Sequence, residues 1–131
     1  MPVNGIEGLE RIGDPAVVDN IRELTRRFVT DVAPQKVFLF GSFANGAYTE
    51  DSDFDFYLVI DDERSVGEAT DEAYTSVRHV KKRPVDIVVG TQTRFENKSR
   101  SSHSMMVEGE VRKNGILLYD RMNSKAGGAW L

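Results

Sequence analysis

The chain has 131 residues, 40% of them apolar, and a formal charge of −4, the profile of one globular domain with a genuine core. No apolar run approaches the ~18 residues of a membrane span, and residues 1–13 lack the apolar segment of a signal peptide, so no membrane attachment is expected. The acidic balance argues against direct nucleic-acid binding. The absence of cysteine excludes a disulfide framework and a thiolate zinc site, and fits a cytoplasmic protein.

Residues 1–13 carry three glycines and little periodicity and read as an N-terminal lead-in to which no element is assigned. Asp14-Pro15 is a helix start, an N-cap acceptor followed by proline at the first helical position. Val17, Val18, Ile21, Leu24, Phe28, Val29 and Val32 then recur at helical spacing and form one apolar face, with Arg22, Arg26 and Arg27 off it. Pro34 closes that helix and leads into the apolar run Val37-Phe38-Leu39-Phe40, a buried strand that stops at Gly41-Ser42.

The loop 42–52 is expected to begin with a helical turn whose N–H groups face whatever lies beside Gly41-Ser42. Such a turn suits an anion, and glycine lets backbone approach phosphate closely. A second strand, 54–60, opens with acids. Alternation sets Asp53, Asp55 and Tyr57 on one face and Phe54, Phe56 and Leu58 on the other. Two carboxylates two residues apart project side by side, about 6.6 Å apart along a strand, which suits a divalent cation and phosphate. Seven of the 21 acidic residues fall within 50–63. Asp61, Asp62 and Glu63 read as solvated surface, whereas Asp53 and Asp55 belong to an apolar strand, where ions are costly unless paired or metal-bound.

Ser65-Val66-Gly67-Glu68 fits a capping box. Val66, Ala69, Ala73, Val77 and Val80 give the next helix a thin apolar face, and Lys81, Lys82 and Arg83 suit its C-terminal end. His79 reads as a surface residue. Residues 84–90 form a third strand in which Asp86 is the sole charge. The polar stretch 97–104 reads as a loop or frayed helix start, 105–113 as a short helix, and 122–131, ending in Trp130-Leu131, as a flexible tail.

Strand, Gly41-Ser42, ten residues and then Asp53-x-Asp55 on a second strand resemble the signature of the polymerase-β-like nucleotidyltransferase superfamily. The short chain further resembles its minimal (MNT) branch, which is often paired with HEPN proteins. Residues 91–96 resemble a turn of that branch with Phe95 as buried aromatic, and 110–120 its closing helix, glycine turn and short strand. The resemblance implies an α/β nucleotidyltransferase fold over residues 14–121, a small mixed sheet flanked by helices.

It also implies chemistry. Asp53 and Asp55 would bridge Mg²⁺ or Mn²⁺ ions, and Asp86 would be the third carboxylate, ligating the second ion and helping to deprotonate the acceptor. Gly41 and Ser42 would hold the nucleotide's β- and γ-phosphates. The implied reaction moves AMP from ATP to a hydroxyl, by resemblance a tyrosine of a HEPN-type helical toxin, which the chain thereby neutralises as an antitoxin. A non-catalytic binding antitoxin, transfer to an aminoglycoside-like small molecule, and assembly as a homo-oligomer stay open. One departure stands out: family members commonly carry arginine in the loop where this chain has Phe43 and Asn45, so positive charge is missing beside the expected triphosphate.

Overall fold

The computed structural model describes residues 3–100 and 106–122. Their framework is a mixed five-stranded sheet in the order β1-β5-β2-β3-β4. The strands are β1 (Val3–Asn4), β2 (Lys36–Phe40), β3 (Phe54–Ile60), β4 (Val85–Thr91) and β5 (Ile116–Asp120). β2 runs antiparallel to its neighbours β3 and β5, and the pairs β3–β4 and β1–β5 are parallel. Six helices flank the described sheet: α1 (Gly5–Ile12), α2 (Pro15–Asp31), α3 (Ser42–Asn45), α4 (Val66–Val77), α5 (Gln92–Ser99) and α6 (Val107–Asn114). The expected α/β architecture, a mixed sheet between helices, is the one observed.

The sheet is covered on both faces because its strands carry apolar residues on both. Phe54, Phe56 and Leu58 of β3 join Val37 and Leu39 of β2 and the buried stripes of α2 and α4 in one core. Phe38, Phe40, Tyr57 and Val59 face the other way and pack on Phe95 of α5 and Val111 of α6. α2 forms as its sequence dictates: the Ala16 N–H donates to Asp14 Oδ1 at 3.0 Å, and Ile21, Leu24 and Phe28 are fully buried.

Four expectations about the elements need correction. Residues 3–12, read as a lead-in, form β1 and α1. Asn4 caps α1 by accepting from the Glu7 N–H at 2.9 Å, and Leu9 and Ile12 are buried against the sheet. α4 ends at Val77 rather than reaching Lys81 to Arg83. The buried Asn20 of α2 takes over there, donating to the Val80 carbonyl and accepting from the Lys82 N–H, both at 3.0 Å. These bonds draw the chain out of the helix, so the basic residues lie beyond its dipole. The stretch after β4 is not a turn and loop but an eight-residue helix, α5, capped by Thr91. Asp53 precedes β3 instead of lying within it.

Asp61 and Asp62, read as solvated, hold the far end of the sheet together. Asp61 accepts from both terminal guanidinium nitrogens of Arg121, at 2.8 and 3.3 Å, and from Gln35 at 2.6 Å. Those bonds hold the Asp61 carboxyl down at about 2. Asp62 accepts from the N–H and hydroxyl of Thr93 at the start of α5. At the outer edge of the sheet, the Tyr74 hydroxyl of α4 accepts from the Ile87 N–H of β4 at 2.9 Å. The stretch 101–105 and the tail 123–131, with Trp130-Leu131, lie outside the described residues.

Candidate active site

Because β2 runs against β3, the C-terminal end of β2 lies beside the N-terminal end of β3, and Phe40 is the register partner of Asp55. Because β4 runs with β3, its N-terminal end arrives at the same place, and Asp55 is the register partner of Asp86. Residues in register on neighbouring strands share a face, so the two carboxylates stand side by side. Asp53, just before the strand, lies near enough to act on Asp55. Three acids separated by 33 positions in sequence thus meet at one end of the sheet.

Gly41 closes this corner. Its φ of 73° lies in the left-handed region, and a Cβ there would overlap the Asp55 carboxylate. Only glycine fits the turn and the close approach together. Ser42 follows as the first residue of α3, a single turn, so the expected helical start of the loop is present.

The electrostatics are one-sided. Burial, then the charges of Asp86, Asp53 and Glu110 and a hydrogen bond to Asp86, push the Asp55 carboxyl from 3.8 up to about 6. The charges that act on it most strongly, those of Asp86, Asp53 and Glu110, are all negative. Like charges crowded into a partly desolvated corner disfavour ionisation, and a divalent cation is what would relieve them.

Glu110, from α6, was not singled out by the sequence, where Glu108-Gly109-Glu110 looks like a solvated helix face. Its Oε2 accepts from the Gly41 N–H at 3.2 Å, a contact across 69 positions that no local pattern signals. Glu108 was missed for the same reason. It is fully buried, and its Oε2 accepts from the Tyr57 hydroxyl at 2.7 Å and from Arg94 Nε at 3.1 Å, while Oε1 has no partner among the described residues. Burial opposes ionisation of Glu108; the bonds from Tyr57, its own backbone and Arg94 outweigh it and hold the carboxyl below the usual range. Burial and the same bond push the Tyr57 hydroxyl up. Tyr57 lies on the face that carries Asp55, as expected, and serves there to anchor α6.

Phe43 is turned away from the acids. It is buried in the core on the opposite face, stacked on Tyr48 and beneath the Arg83 guanidinium at 4.9 Å. Arg83 also donates to the Ser52 carbonyl at 3.0 Å, so it latches the loop down. Asn45 is exposed, its Oδ1 accepting from the Ala47 N–H. His79 lines a cavity of about 510 Å³ between α2 and α4 that contains none of the acids at the sheet end.

A model of the nucleotidyltransferase domain family matches residues 19–114. The chain belongs to that family. The nucleotidyltransferase fold is also seen in a crystal structure of a candidate nucleotidyltransferase from Sulfolobus solfataricus, with a TM-score of 0.51 and 21% identity over 90% of this chain and 94% of that one. A crystal structure of a toxin–antitoxin with AMP-PNP is similar at a TM-score of 0.47 and 20% identity, covering 82% of this chain and 77% of that one. No curated protein matches significantly. No helix among the described residues is long and apolar enough to cross a membrane.

Members of the nucleotidyltransferase family generally use a divalent cation. Among the described residues, no three acidic or histidine side chains are arranged as a ready metal cage. Magnesium does not need one: it is held by one or two carboxylates, with substrate phosphates and waters completing its shell. The all-oxygen donors Asp55 and Asp86, side by side and short of positive charge, fit that habit.

Proposed function

We propose that the chain is a metal-dependent nucleotidyltransferase that moves AMP from ATP to a hydroxyl on a HEPN-type helical partner, and so acts as a cytoplasmic antitoxin. The observation that carries this reading is the in-register pair Asp55–Asp86 beside Gly41-Ser42, in a chain of the nucleotidyltransferase family. ATP, the HEPN partner and its tyrosine acceptor rest on the MNT resemblance of the sequence.

Asp53, Asp55 and Asp86 would hold Mg²⁺ or Mn²⁺, which would neutralise phosphate charge and lower the pKa of a coordinated hydroxyl. Gly41 and Ser42 hold the β- and γ-phosphates through backbone and hydroxyl. The acceptor oxygen attacks the α-phosphorus: a new O–P bond forms, the bond from the α-phosphorus to the β-bridging oxygen breaks, and pyrophosphate leaves. Asp86, more exposed than Asp55, takes the acceptor's proton. Asp55, pressed between Asp53, Asp86 and Gly41, keeps the corner anionic.

A second reading, an antitoxin that works by occupying its partner, is favoured by the loop: Phe43 is in the core and Asn45 is uncharged, so no arginine meets the triphosphate there. Asp86→Asn separates the two. Transfer of label from α-³²P-ATP to a co-expressed helical partner should fall by on the order of a hundredfold or more, and neutralisation of the partner should fall with it. A variant that transfers nothing yet still neutralises its partner overturns the enzymatic reading.

A further inference from the structure

The amide proposed to meet the nucleotide's phosphate is already engaged. The Gly41 N–H donates to Glu110 Oε2 at 3.2 Å, so a carboxylate of the chain itself sits at the position assigned above to substrate. We propose that Glu110 is a built-in competitor of the triphosphate, and that nucleotide enters this site only by displacing it. The proposal rests on the functional reading just given, since it concerns the same amide.

Three observations support displacement rather than passive surface contact. Glu110 is exposed, so its side chain can swing into solvent without breaking core packing. Its helix cannot move away so freely: Glu108, two residues earlier, is buried and bonded to Tyr57 and Arg94, and Val111, the next residue, is buried in the core. The backbone of α6 is therefore fixed and holds Glu110 over Gly41, while the side chain alone is free to yield. Finally, Glu110 adds its charge to a corner that already holds Asp53, Asp55 and Asp86. An incoming polyanion meets like charge as well as an occupied donor.

One N–H makes one strong bond, so Glu110 and a phosphate oxygen exclude each other there. Binding of nucleotide should consequently strengthen when the carboxylate loses its charge, the reverse of what a metal ligand would show. Where a helical partner supplies a cation near Gly41, it would draw Glu110 off and open the site only in the complex.

The test is calorimetric titration of the full chain with Mg²⁺ and a non-hydrolysable ATP analogue, for wild type, Glu110→Gln, Glu110→Ala and Asp53→Asn/Asp55→Asn. Circular dichroism and melting confirm that each variant folds. Glu110→Gln keeps an acceptor for Gly41 and removes the charge; Glu110→Ala removes both. The expected result is binding roughly tenfold tighter in Glu110→Gln and tighter still in Glu110→Ala, a change of about 1.4 kcal/mol per tenfold. Unchanged affinity in both variants, with wild type binding normally, overturns the competitor and leaves the enzyme reading intact. Weaker binding makes Glu110 a ligand of the metal instead, and also overturns it. Absence of binding in every protein removes both the competitor and the nucleotide site on which it depends.

Discussion

At the scale of single residues, the sheet is built from close approaches that leave no room for substitution. Gly90 on β4 shows this as clearly as Gly41. A Cβ at position 90 would overlap the Tyr57 hydroxyl, which is itself needed by Glu108. Gly90→Ala should therefore cost about 1–3 kcal/mol through overpacking. Tyr57→Phe should cost a comparable ~1–3 kcal/mol by leaving a buried carboxylate with one partner fewer. Once the hydroxyl is gone, the alanine has most of the space it needs, so the double variant should be less destabilised than the sum, measured by denaturant titration as a coupling on the order of 1 kcal/mol. Strict additivity would mean that Gly90 answers to something other than Tyr57. Of these residues the sequence displays Gly41, Ser42, Asp53, Asp55 and Asp86, because glycine at a strand end and lone acids in apolar strands are locally odd. Glu108 and Glu110 look ordinary in a polar helix, and Tyr57 and Gly41, which they bond, lie 51 and 69 positions away. Matching Phe43 to an arginine position showed the missing charge but said nothing about which face of the sheet its side chain takes.

Among elements, α2 is the most legible and α1 the least. α2 announces itself by Asp14-Pro15 and five turns of helical spacing, and its observed span, Pro15–Asp31, follows that pattern. α1 is only eight residues long with Gly5 and Gly8 inside it, so its periodicity is too brief to stand out. The signal that could have found it is Asn4 with Glu7 three residues on, an N-cap with an acid in the first turn. The end of α4 was out of reach for any local pattern, because Asn20 on another helix decides it. Asn20→Ala should release both the Val80 carbonyl and the Lys82 N–H, at a cost of about 1–3 kcal/mol. Differential scanning calorimetry should place the variant several degrees below wild type, on the order of 4 °C per kcal/mol. No change in melting would show that α4 is stopped by its own sequence.

For the molecule as a whole, charge at the sheet end opposes folding when no cation is bound. Asp55 titrates from 3.8 in an unfolded chain to about 6 in the fold, so between those values the folded form holds more protons than the unfolded one. By linkage, that group's contribution to stability falls as pH rises from about 4 to about 6 and does not return above it. Asp61 and Glu108, both held below their ordinary values, act in the opposite sense, losing their contribution only as pH drops further. Metal-free protein should accordingly be most stable in mild acid. Asp55→Asn should raise its stability at pH 7 by on the order of 1–2 kcal/mol, allowing for solvent screening, and flatten the slope between pH 4 and 6. Melting in EDTA across that range checks both; an unaltered profile would show that Asp55 is not strained. The outer edge of the sheet carries a different consequence. A bare strand edge is a template on which further chains can zip up into aggregates. On β4 the Tyr74 hydroxyl already occupies the Ile87 N–H, and Asp86 beside it puts a carboxylate on the same strand. A second molecule arriving edge to edge would have to evict the tyrosine and lay its own Asp86 among like charges. The strand that completes the acidic corner thereby also keeps copies of this chain from growing into one another.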